Sequence, residues 1–126
     1  MLDNFKEFTF ELTEDEELRI VPLVIRGLKT KIGKQNAIKN KQMLAGLKGI
    51  GIDISEARLR KVIQFIRLQG LLERLIATSS GYWISNDLQE LEDYQNTNAQ
   101  RLMQYQIGFE QMNYQIKKFK DETQNT

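Results

Sequence analysis

Ser79 and Ser80 stand side by side in the stretch IATSSGYWISND, residues 76–87, followed by Gly81, Tyr82 and Trp83. A serine next to glycine in a polar segment is one setting for a nucleophile. Such a serine needs a base at hydrogen-bond distance and donors for the oxyanion. The chain contains no histidine, and nothing around these serines resembles a nucleophile elbow. With no cysteine either, thiolate metal sites and disulfides are excluded, and the commonest zinc ligand is missing. No paired-acid motif supports carboxylate catalysis. The chemistry left to this stretch is conformational. Gly81 offers an unusual φ and the two hydroxyls offer local hydrogen bonds, which is what a turn between two strands requires. The expectation is therefore a protein with no catalytic residues, no cofactor and no metal.

Charge points to a different kind of chemistry. Over residues 26–74 there are twelve Lys or Arg against three acids, a net of +9, whereas residues 1–25 come to −5 and residues 75–126 to −3. The net charge of the whole chain, +1, hides this block. A concentrated basic segment in a neutral chain suits a polyanion-binding surface, although a solvated lysine-rich face would have the same composition.

The elements that must position these charges can be read from spacing. Phe8, Phe10 and Leu12 alternate too briefly to assign. Thr13 is an N-cap with Glu16 three residues on as its capping-box partner. The helix behind it places apolar residues at 18, 21, 25, 28 and 32, with Pro22 marking a kink or a lead-in turn and Gly33 its end. Ala37 and Ile38 suit a short strand. Asn40 is the expected cap of a second helix burying Met43, Leu44 and Leu47. After the turn GIGID, Asp53 or Ser55 caps a third helix, closed by Gly70. Leu59, Val62, Ile63 and Ile66 form its buried stripe, with Ala57, Arg60, Lys61, Gln64 and Leu68 opposite. The runs LLERLIA and YWIS then flank TSSG as a hairpin, with Tyr82 and Trp83 pointing to opposite faces.

A helix–turn–helix followed by a hairpin wing is a way of reading DNA. On that reading Arg60 pairs with guanine and Gln64 with adenine in the major groove, while Lys39, Lys41, Lys61 and Arg74 meet phosphates.

The stretch ISEARLRKVIQFIRLQG, with LIATSSGYWISNDLQELEDY after it, resembles small winged-helix proteins encoded in phage and prophage regions. The matching positions are Ser55, Leu59, Arg60, Ile63 and Arg67, then Thr78, Ser79, Gly81, Tyr82, Glu90 and Leu91. GKQNAIKNKQML resembles that family's lead-in to the second helix, with Lys39 standing where a Ser/Thr-like cap is the pattern. The resemblance spans roughly residues 13–105. It implies a winged-helix fold and DNA binding in a regulatory or replication setting, without implying a particular activity.

Beyond Asp87 the pattern is helical to about residue 120. A 3–4 spacing puts Leu88, Leu91, Leu102, Tyr105, Phe109, Met112, Ile116 and Phe119 on one seam, interrupted by Gln95 and Asn98. A seam kept this long is a coiled-coil signature. The fold class expected is mainly α with a small β-hairpin: a winged helix over 5–86, a long dimerising helix over 87–120 and a disordered tail over 121–126. The partners expected are double-stranded DNA and a second copy of the chain. No apolar run approaches the ~20 residues of a membrane span, and the first ten residues lack a secretory layout, so the expected location is cytoplasmic. The rival is a non-catalytic protein-interaction module that uses the same winged helix and coiled coil, since fold does not fix function.

Overall fold

In the computed structural model, residues 12–125 are described. The stretch around Phe8 and Phe10 lies outside them, as does the expected domain start at residue 5. The helical course begins with the capping pair the spacing predicts. Thr13 N–H donates to Glu16 Oε1 at 2.8 Å, and Glu16 N–H donates to Thr13 Oγ1 at 3.1 Å. A π-helical turn, Glu16–Ile20, follows and runs directly into α1, Val21–Lys29. The Val21 N–H reaches back to the Glu16 carbonyl, one residue further than in an α-helix. Pro22 follows this wide turn, in the first turn of α1; having no N–H, it leaves the helical ladder without a donor at that point of a continuous helical course.

The wide turn changes which face is buried. Ile20, Val21, Val24 and Leu28 enter the core, whereas Leu18 and Ile32, expected inside, are exposed and Ile25 is only half-buried. Val21 and Leu28 are buried as expected; the extra residue in the turn offsets Leu18, which lies within it, from their face. α1 also ends at Lys29, before Gly33, so Ile32 is no longer on the helix.

A 3₁₀ turn, Lys34–Asn36, leads to α2, Asn40–Gly49. Its N-cap is Lys39, not Asn40: Lys39 has extended backbone, and its N–H is taken by the Gln42 side chain at 2.9 Å. α2 buries Met43 and Leu47, with Leu44 packed alongside. Residues 50–55 turn the chain into α3, Glu56–Leu68. Ser55 caps it, its side chain accepting from the Arg58 N–H at 3.1 Å. The expected stripe of Leu59, Val62, Ile63 and Ile66 is buried against α1 and α2. Burying each such side chain contributes about 1.5–3 kcal/mol relative to exposure.

The hairpin is β1, Leu75–Thr78, and β2, Gly81–Ile84, antiparallel, with Ser79 and Ser80 forming the two-residue loop. The expected strand at Ala37–Ile38 is reduced to one bridge: Ile38 and Tyr82 exchange both backbone hydrogen bonds, at 3.0 and 2.9 Å. Gly81 has φ +115°, and a Cβ there would lie 2.7 Å from the Ile38 carbonyl oxygen. Only glycine lets these two backbones approach so closely. Trp83 is buried, and Tyr82 is half-buried against the helical core; neither is left in the open as alternation alone suggests.

One tie runs across the helices. Arg58 of α3 donates through Nε to Glu16 Oε2 at 2.8 Å, and its Nη2 bonds Glu16 Oε1. The Glu16 side chain is 7% exposed. Bonding to the guanidinium, helped by the Thr13 N–H, holds its carboxyl at about 2 against an ordinary 4.5, although burial pushes the other way.

The chain separates into two compact units, Met1–Asp87 and Leu88–Thr126. The second consists of one helix, α4, Leu88–Gln124, in which no residue is buried. It continues past residue 120, through part of the segment expected to be a disordered tail. The molecule is thus mainly helical, with a small antiparallel hairpin and a long C-terminal helix. Among the described residues no helix is long and apolar enough to cross a membrane.

Candidate nucleic-acid interface

The start of α2, the first turn of α3 and the hairpin loop converge on one open cleft of about 600 Å³. Lys39 and Lys41 line it from α2, Glu56 from α3, and Thr78, Ser79 and Tyr82 from the hairpin. The convergence follows from the local chemistry. Lys39 ends the extended segment bonded to Tyr82 by way of Ile38, and Ser55 starts α3 beside it. The first N–H groups of α2 therefore open beside the hairpin loop, flanked by two exposed lysines. A helix N-terminus with adjacent cations attracts anions through both its free N–H groups and its dipole.

Arg60 lies on the outward face of α3, its side chain 65% exposed, and pairs with Glu56 Oε1 at 3.0 Å. Gln64, one turn on, is exposed on the same face. Lys61 is half-buried, turned partly away from that line. Lys39, Lys41 and the Glu56–Arg60 pair thus form one neighbourhood, with Gln64 extending it along α3.

Arg74 is elsewhere. It precedes β1, at the end of the hairpin away from the Ser79–Ser80 loop. Its guanidinium donates to the Ser85 carbonyl at 3.0 Å and to Asn86 Oδ1 at 3.2 Å. Its φ of 60° is unusual for a residue with a side chain. Expected along the wing, it instead ties the hairpin's foot to the chain leaving it.

Two features of the cleft escape a reading of residue types. Glu56 puts an acid among the lysines; the spacing of Glu56 and Arg60, four apart with the acid first, was the available signal for their pairing. Asn40 donates to Glu56 Oε1 at a long 3.5 Å, and its Oδ1 is buried with no donor. The hairpin loop also differs in detail. Thr78, not either serine, supplies the side-chain oxygen there, accepting from the Ser80 N–H at 3.1 Å.

Among the described residues no group of three or more His, Cys, Asp or Glu is arranged to hold a metal ion. Comparison of the chain with protein-family models, with curated proteins and with solved structures gives no match, so what the protein does must be read from its own residues.

Proposed function

We propose that the first unit is a winged helix that binds double-stranded DNA, and that the protein acts without catalysis as a dimeric regulator or replication accessory protein of phage type, in the cytoplasm. The observation that carries this reading is the shared neighbourhood of Lys39, Lys41 and the hairpin loop, beside the exposed Arg60–Gln64 face of α3. α3 enters the major groove. Arg60 reads guanine once it leaves Glu56, and Gln64 reads adenine. The lysines and the start of α2 hold phosphates, with Lys61 flanking them. Glu56 keeps Arg60 extended along the helix in the free protein and repels a phosphate that settles too deep. Arg74, engaged at the hairpin's foot, is left out of this docking.

Two substitutions test it against a pool of duplex sequences. Arg60→Ala costs about 1–3 kcal/mol and relaxes preference at one position, whereas Lys41→Ala weakens all sequences alike. An Arg60→Ala protein with unchanged affinity and unchanged preference contradicts the docking.

The interaction-module reading is favoured by one observation, the row of exposed apolar side chains on α4. On that reading the partner is a protein, and its binding responds little to salt.

A further inference from the structure

α4 exposes Leu102, Tyr105, Phe109, Met112, Ile116 and Phe119 at 3–4 spacing, while Leu91, Tyr94 and Asn98 are half-buried. From Ala99 to Asn125 every residue is exposed. Leu88 is exposed as well, but the polar Gln95 and Asn98 interrupt the seam after it, so the unbroken apolar stretch begins at Leu102. We propose that this segment pairs with a second copy in antiparallel orientation, with Leu102 level with the partner's Phe119. The inference rests on the reading of α4 as a self-pairing helix and adds its direction and extent.

The two orientations place different side chains together. In an antiparallel coiled coil an a residue shares a layer with the partner's d residue; in a parallel one, a meets a and d meets d. With Leu102 against Phe119, the layers are Leu102–Phe119, Tyr105–Ile116 and Phe109–Met112, each occurring twice by the two-fold axis. Every layer then holds one aromatic and one aliphatic or methionine side chain, so the layers match in volume. A parallel pair instead stacks Tyr105, Phe109 and Phe119 each on its own copy and leaves Leu102, Met112 and Ile116 as small layers between them. Uneven layers leave gaps or force strain in a packed seam.

The flanks agree. In the antiparallel register Arg101 lies beside the partner's Glu122 at both ends of the seam, and the next layer outward joins Asn98 to Thr123, polar to polar. Gln106 meets Asn113 near the middle. A parallel pair sets Arg101 beside Gln106 and Gln115 beside Lys120, with no opposite charges meeting across this segment. Gly108 faces Gln115 in the antiparallel register, where a small residue gives the amide room.

The chain has no cysteine, so single cysteines at polar positions report orientation without touching the apolar seam. Asn98→Cys and Thr123→Cys are prepared separately in the full-length protein and oxidised alone and mixed. Antiparallel pairing predicts little cross-linking of either variant alone, because equivalent positions lie about 37 Å apart along the axis, and a covalent dimer from the mixture. Rapid cross-linking of each variant alone means parallel pairing and overturns the inference, as does a monomeric mass by light scattering at micromolar concentration. Arg101→Glu or Glu122→Arg alone raises the dimer dissociation constant about tenfold, and the two together restore it; no rescue counts against the register. Duplex DNA binding is measured on the same samples. A cross-linked antiparallel dimer that ignores DNA supports this inference and removes only the DNA-binding reading.

Discussion

Glu16 stands in the acidic run Glu14–Glu17, where its neighbours on either side are solvated and it alone is buried. Its capping of Thr13 is visible from a three-residue spacing. Its bond to Arg58, 42 residues away, is not, because nothing local says which of many arginines an acid will meet. Its folded-state carboxyl titrates near 2, below the ordinary 4.5. A depressed carboxyl stabilises the fold fully above its unfolded value, and that contribution disappears as pH falls from about 4.5 to about 2. Thermal melts should therefore show stability dropping through this window. Glu16→Gln should cost about 2 kcal/mol at neutral pH, since it leaves Arg58 half-satisfied, and the gap to the unsubstituted protein should close as the window is crossed. A gap that stays constant down to pH 2 means that Arg58 does not hold this carboxylate. Gly81 was legible as a turn residue, yet the stronger reason for glycine there is the Ile38 carbonyl 2.7 Å from where a Cβ would sit. That contact joins distant segments, so a local reading has no access to it. Arg74 shows the same limit: its charge was evident, but not that the Ser85 carbonyl just past β2 would accept from it.

At the scale of elements, periodicity was most informative where the helix is regular. The stripe of α3, the choice of Asp53 or Ser55 as its cap, and a hairpin turning at TSSG all follow from short-range rules; that Ser55 is the cap and the loop only two residues long is shown by the fold. Around α1 Val21 and Leu28 are buried as their spacing predicts, whereas Leu18 lies in the preceding π turn, where the 3.6-residue spacing does not hold, and Ile32 lies past the helix end at Lys29. α2 departs by one position at its cap, since Asn40 turns its side chain to Glu56 instead of to its own helix. On α4 the long helix was legible and the apolar row at 3–4 spacing is exposed on it; a second exposed row of Met103, Ile107 and Tyr114 was not read, because a reading anchored on one stripe overlooks the other face. α3 carries the proposed base contacts, so its cap bears on function as well as stability. Ser55→Ala removes the oxygen that accepts from the Arg58 N–H and should lower unfolding free energy by about 1 kcal/mol. Chemical denaturation measures this directly. A change within about 0.3 kcal/mol would mean that water replaces the cap.

For the whole molecule, the charge blocks and the division at Asp87 fit one economy of design. The basic segment, residues 26–74, supplies α2 and α3, and the apolar residues that do not enter the core are concentrated on α4. One unit thus offers a charged surface and the other an apolar one. The partner proposed for the first is DNA and for the second another copy of the chain, and the two kinds of binding respond differently to salt. Phosphate contacts release counterions, so affinity falls steeply with ionic strength, whereas apolar pairing hardly changes. The most direct measurement is the affinity of the full chain for random-sequence duplex DNA across a salt series. With about six phosphate contacts per dimer, affinity should drop roughly a thousandfold between about 50 and 200 mM salt. No binding at the lowest salt, or binding that stays level across the series, would contradict the claim that this protein reads DNA.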